Sequence, residues 1–391
     1  MTDIPLKRPL LRASKSHEDS KVVFVELFFD LVFVFAVTQL SHSLLHHFSL
    51  TGMAETAFLM LAVWWVWIYT TWVTNWLDPQ TTPVRLMLFL LMFAGLILST
   101  SIPQAFGSSG LAFACAYVFM QIGRSVFMCW ALSGYHMGNY RNFLRITAWL
   151  GLSGLFWISG GFAVEEARYV LWGIALFIET VSPAVGFWTP RLGRSTTADW
   201  DVSGAHMAER CGLFIIIALG ESLLVTGATF AELPGTLVNL TAFFVAFASS
   251  IALWWIYFNI GAEHASIRIS ESDDPGRIAR LAYTYLHIPI VAGLILVAVS
   301  DELILAHPGG HTEPLVAIAI VGGPLLFLLG NLLFKQAVFG KFALSHVCGA
   351  LGLIAAFPAH EHLSPLALAA IAAALLFAVG VWENISVKSQ K

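Results

Sequence analysis

Glu26 and Asp30 stand four residues apart in the run Val25-Glu26-Leu27-Phe28-Phe29-Asp30-Leu31-Val32-Phe33, so a helix sets both carboxylates on one face, one turn apart. Thr38, Ser41 and His42 follow within about 160° of that face at helical spacing. The result is a polar stripe along an otherwise apolar segment. A carboxylate at mid-bilayer costs roughly 2.5–3.5 kcal/mol on insertion scales. Such a stripe should therefore face protein or water, as a path for a cation or proton or as a buried network that pins helices. A second acid, Glu221, lies twelve residues beyond Glu209, about 18 Å along a helix. It follows His206, Glu209 and Arg210 and sits in Gly220-Glu221-Ser222. Arg124, inside another apolar stretch, is its expected counter-charge, with Glu209 and Arg210 as further charge partners. The alternative is a purely structural Glu–Arg pair.

Other polar groups interrupt apolar stretches singly. Glu179 opens Glu179-Thr180-Val181-Ser182-Pro183, His287 precedes Pro289 by two residues, and Asn331 follows Gly330 as Arg124 follows Gly123. Each reads first as a helix–helix hydrogen bond and second as a ligand. His42, His46, His47, His307, His311, His360 and His362 gather near one side of the expected membrane. Nothing in the sequence makes them converge on a metal, so no metal site is expected. HExxH, GxSxG, Walker A and GxGxxG are all missing. No lysine falls at mid-span, which disfavours a retinal-type Schiff base. No cofactor is expected. Cys115, Cys129, Cys211 and Cys348 form no CxxC pair, so neither a disulfide framework nor a zinc site is indicated.

The elements that must position these groups are membrane helices. The chain has 391 residues, 58% hydrophobic and 11% charged, against about 25% charged in soluble domains. A formal net charge of -4 gives no reason to expect nucleic acid. A spanning helix needs roughly 20 apolar residues. About twelve stretches qualify: 22–45, 54–75, 84–102, 110–133, 143–163, 168–188, 207–228, 236–258, 279–300, 314–335, 342–358 and 364–384. The eleventh is short enough to be tilted or re-entrant. Residues 1–21 read as a basic cytoplasmic arm and 386–391 as a cytoplasmic tail. No apolar run with a small-residue cleavage site follows the arm, so no signal peptide is expected. With the N-terminus inside and spans alternating, all of the 20 Lys and Arg except Arg168 and Arg124 fall on the inner side or its flanks, as the positive-inside rule demands. Trp72, Trp76, Trp188 and Trp382 fall where interfacial anchors belong.

The chain also repeats itself. Trp64-Trp65-Val66-Trp67 matches Trp254-Trp255-Ile256-Tyr257 at a separation of 190 residues, and Ala94-Gly95-Leu96-Ile97-Leu98 matches Ala292-Gly293-Leu294-Ile295-Leu296 at 198. Val25-Glu26 and Ala208-Glu209 open the first span of each half. The expected fold is all-α and polytopic, two parallel six-helix repeats at 22–190 and 207–385 joined by a cytoplasmic linker at 191–206.

Glu26-Leu27-Phe28-Phe29-Asp30-Leu31-Val32-Phe33-Val34 and Glu209-Arg210-Cys211-Gly212-Leu213-Phe214, continuing to Glu221-Ser222, resemble the bacterial low temperature requirement protein A (LtrA) family from about residue 20 to 385. That resemblance implies a multi-span bacterial membrane protein, named for growth in the cold, and carries no mechanism. Phe29-Asp30-Leu31-Val32-Phe33-Val34-Phe35-Ala36 also resembles the Phe-Ser-Asp motif that opens the first helix of the two-repeat endolysosomal potassium channel family. Here Phe29 replaces the Ser, that motif's upstream Arg is absent, and Leu213 stands where a second Asp would be.

Together these features favour transport of a cation or proton, or proton-coupled passage of a small solute, across the inner membrane. Asp30 would be the ion or proton site and Glu26 its cytoplasmic vestibule. Thr38 and His42 would continue the path, and Glu221 would be the coupling acid. Expected partners are the lipid bilayer and a small ion or solute; a homo-oligomer stays open. The alternatives are an intramembrane enzyme acting on lipids or lipid-linked precursors, with Glu221, His287 or the outer histidines as acid and base, and a sensor or scaffold without turnover.

Overall fold

The computed structural model describes residues 10–12, 21–134, 137–196, 202–259, 268, 272 and 274–388. Most of the basic arm, including Lys7, Arg8 and Lys15, part of the linker, and the end of the tail with Lys391 lie outside the described residues. The described chain is helical. It contains two isolated bridges, Leu11 with Leu77 and Thr189 with Gly193, and no strand.

Among the described residues twelve helices follow one another: α1 (Phe24–His46), α2 (Leu50–Trp76), α3 (Thr82–Ser101), α4 (Gly110–Leu132), α5 (Met137–Phe162), α6 (Glu165–Val181), α7 (Gly204–Glu232), α8 (Leu237–Phe258), α9 (Pro275–Ala306), α10 (Pro314–Phe339), α11 (Leu344–Ala356) and α12 (Pro365–Lys388). Ten are long and apolar enough to cross a membrane, so this is a multi-pass membrane protein. The other two are α6, with 17 residues, and α11, with 13. Expected stretch 168–188 is thus shorter as a helix, because Pro183 cannot continue the backbone ladder and the chain turns from Ser182 to Phe187. Stretch 279–300 is longer than expected. It begins at Pro275, passes through a π segment at Arg280–Tyr285 and reaches Ala306.

The chain divides into two compact units. One comprises Met1–Gln39, Leu61–Met207 and Ser270–Arg277; the other comprises Leu40–Met60, Ala208–Ile269 and Ile278–Lys391. In the first, α3, α4, α5 and α6 pack each on the next around Phe113, Tyr117, Trp157 and Trp172, all fully buried. Trp64, Trp65 and Trp67 are buried too. So is Trp72, which packs on Trp76 and is not the interfacial anchor its position suggested. Arg168, the outer-side exception to the charge rule, is buried as a staple. Its Nε and Nη2 donate to Ala163 O and its Nη1 to Ala105 O and Gly107 O. It thereby satisfies carbonyls that helix ends leave open.

In the second unit α9 lies against α10, and α12 against α8, α10 and α11. The α9–α10 approach depends on glycine. A Cβ on Gly293 would come within 2.6 Å of both Gly323 O and Phe327 N, so only the bare backbone fits. Small residues at such crossings are what lets membrane helices gain packing energy without a hydrophobic driving force.

Candidate functional site

Three buried polar clusters occupy the first unit. At the start of α1 the Glu26 carboxylate is 0% exposed. Its Oε2 accepts from Val23 N at 3.1 Å and from Arg12 Nη2 at 3.1 Å. The first contact caps the helix N-terminus with negative charge, where the macrodipole favours it. Its Oε1 accepts from His206 Nε2 at 2.9 Å. Asn75 exchanges two hydrogen bonds with the Ser203 backbone, which fixes its amide orientation. Its Nδ2 therefore donates to His206 Nδ1, 3.2 Å away. His206 Nε2 also lies 3.2 Å from Arg12 Nη2, so Arg12 and His206 meet at the Glu26 carboxylate, and Arg12 supplies a charge that balances it. Arg12 arrives on a short segment tied down by Arg12 N to Trp76 O and Asp78 N to Leu10 O, both backbone bonds. The expected vestibule carboxylate is a closed ion pair under a strap.

One turn along α1, Asp30 is 3% exposed and accepts from Trp67 Nε1 at 2.8 Å. Further along, Thr38 is half-buried and donates to Val34 O, while His42 is exposed. The stripe is therefore buried at Glu26, Asp30 and Ser41, half-buried at Thr38 and exposed only at His42.

The third cluster centres on Glu179 in α6. Its Oε2 accepts from Tyr117 Oη at 2.6 Å and Gln121 Nε2 at 2.9 Å; its Oε1 accepts from Trp157 Nε1 at 2.9 Å and from Ser153. Gln121 also accepts from Arg124, whose other nitrogen donates to Val66 O and Thr70 Oγ1. One glutamine thus joins Arg124 to Glu179. The sequence singles out both residues, but pairs neither with the other.

The second unit holds the remaining candidates. Glu221 is 1% exposed in α7. Beside it, Ser222 Oγ donates to Asp301 Oδ2 at 2.5 Å and lies 3.1 Å from Ser250 Oγ. Arg210 is buried and Glu209 exposed. His287 Nδ1 donates to Ala282 O, a carbonyl of the π segment, and its Nε2 accepts from Tyr257 Oη, both at 2.8 Å. Asn331 Nδ2 donates to Phe327 O of its own helix. Lys335 of α10 pairs with Glu383 of α12, and its Nζ lies 3.3 Å from His346 Nε2 of α11.

Two groups escaped sequence reasoning. Asp301 falls one residue past the expected end of its span. Lys335, His346 and Glu383 sit at helix ends, where charge reads as solvated. The available signal was Glu383, the one carboxylate of α12. Among the described residues no group of three or more His, Cys, Asp and Glu could hold a metal ion.

The family model described as the bacterial low temperature requirement A protein (LtrA) matches residues 21–381. An uncharacterised protein of Rhizobium meliloti (strain 1021) is 42% identical over 372 residues, which is 95% of this chain and 91% of that relative. No solved structure matches. The family match covers the α1 stripe and the α7 acid together, and the chain belongs to the bacterial LtrA family.

Proposed function

We propose that this protein transports a small cation or proton, or couples protons to a small solute, across the bacterial inner membrane, with both termini in the cytoplasm. The observation that carries the reading is Asp30. It is an acid one turn inside a spanning helix, buried to 3% exposure and held by Trp67. Intramembrane acids are costly and by default functional. Glu26 precedes it behind the Arg12 strap and forms the gate to the path; Glu221 supplies a second acid in the other half.

The parallel duplication expected from the sequence supports the reading, because transport pathways run between such repeats. In each half the fourth, fifth and sixth helices join a buried base to a buried acid: Arg124 through Gln121 to Glu179, with Ser153 from the fifth, and Lys335 to Glu383, with His346 from the fifth. The lipid-chemistry alternative loses one of its acid–base candidates, since both ring nitrogens of His287 are already engaged.

The purified protein in liposomes should pass K⁺, Na⁺ or H⁺ down a gradient. Asp30→Asn, with unchanged yield and melting temperature, should abolish that flux. A folded Asp30→Asn variant that still conducts removes Asp30 from the path, and silence of the wild type under all three gradients sinks ion transport.

A further inference from the structure

The second unit contains an acid that the path above does not use. Asp301, near the end of α9, is 3% exposed. Its hydrogen bond comes from a neutral hydroxyl, Ser222 of α7, and among the described residues it makes no ion pair. A buried charge needs a compensating one, and among the described side chains none supplies it. Ser250 of α8 brings a third oxygen within 3.1 Å of Ser222 Oγ. Thr226 adds a fourth. It lies one turn past Ser222 on the same face of α7, is 2% exposed, and its Oγ1 has no hydrogen-bond partner among the described residues. Three helices thus bring one carboxylate and two hydroxyls into contact, with a third buried hydroxyl one turn along α7.

We propose that Asp301, Ser222, Ser250 and Thr226 bind a dehydrated monovalent alkali cation, sodium. Oxygen donors with no nitrogen or sulfur among them suit hard cations. A single carboxylate matches a single positive charge. These hydrogen-bonded oxygens must separate to admit an ion, which disturbs close packing least for a small one. Hydroxyl hydrogens rotate freely, so Ser222 turns its hydrogen away from Asp301 when the ion enters and presents a lone pair. The site rests on the transport reading for its purpose, as the coupling-ion position of the second half.

The test is equilibrium binding, which needs no flux. Radioactive sodium should bind the purified full chain saturably, one ion per chain. Sodium chloride should raise the melting temperature over choline chloride at equal ionic strength. Asp301→Asn should abolish both effects. Ser250→Ala and Thr226→Val should each weaken binding roughly tenfold, the loss of one good ligand, with the melting temperature in choline unchanged. If Asp301→Asn fails to fold, these two variants decide. Absence of saturable binding in the wild type overturns the proposal. So does wild-type affinity in both hydroxyl variants, or stabilisation that follows pH but is the same in every salt, which would mean a proton there instead. Sodium binding without flux would leave this site standing and sink the transport reading. Flux that needs Asp30 with no sodium binding would do the reverse.

Discussion

Glu179 shows what a buried carboxylate needs when structure alone must hold it. All four of its hydrogen bonds come from donors on α4 and α5, so it ties three helices at one point. Removing it strands several buried donors at about 1–3 kcal/mol each. Glu179→Ala should therefore lower stability by about 3–5 kcal/mol, the usual cost of breaking a buried charged network. Glu179→Gln, which still accepts on one side, should cost less. Thermal unfolding in detergent measures both. A melting temperature in Glu179→Ala equal to wild type would show that the network carries no stability. The sequence discloses Glu26, Asp30, Glu179 and Glu221 because an acid in an apolar run stands out. It does not disclose their partners. His206 meets Glu26 across 180 residues and Asn75 meets His206 across 131, and no local pattern encodes either contact.

The helices were legible for a different reason: a bilayer forces spans to be long and apolar, so hydropathy finds their middles. Their ends were less legible. The π segment of α9 and its extension to Ala306 moved Asp301 from an expected loop into a helix. Close packing was also hidden, although the repeated Ala-Gly-Leu-Ile-Leu word contains one of its determinants. A Cβ on Gly293 would meet backbone atoms of α10 at 2.6 Å, whereas the nearest atom to a Cβ on Gly322 would be Leu296 Cδ2 at 3.6 Å. Gly293→Ala must push α9 and α10 apart and should cost about 1–3 kcal/mol, as overpacking does. Gly322→Ala fits and should be neutral or slightly stabilising, since alanine is the better helix former. Equal melting temperatures for the two variants would contradict this account of the α9–α10 crossing.

For the whole molecule the open quantity is how many helices cross. Although α6 and α11 are short, length in ångströms matters, not residue count. The 17 residues of α6 rise about 26 Å, a mismatch a bilayer absorbs by modest thinning. The 13 residues of α11 continue into five more in 3₁₀ form, Phe357–Glu361. At the larger 3₁₀ rise the two together reach about 30 Å, the thickness of the hydrocarbon core. If neither crossed, each half would have five spans. Arg191, Arg194, Arg268, Arg277, Lys335 and Lys341 would then all face outward, against the positive-inside rule. The C-terminus would be cytoplasmic in both cases, so a C-terminal reporter cannot choose between them; the segment after α6 can. In a background with Cys115, Cys129, Cys211 and Cys348 replaced, Arg194→Cys should react with a membrane-impermeant maleimide only in inside-out vesicles. Reaction in intact spheroplasts would put that segment outside. The halves would then be inverted with respect to each other rather than parallel, and the proposed correspondence between the α4–α6 and α10–α12 clusters would fall with the parallel repeat.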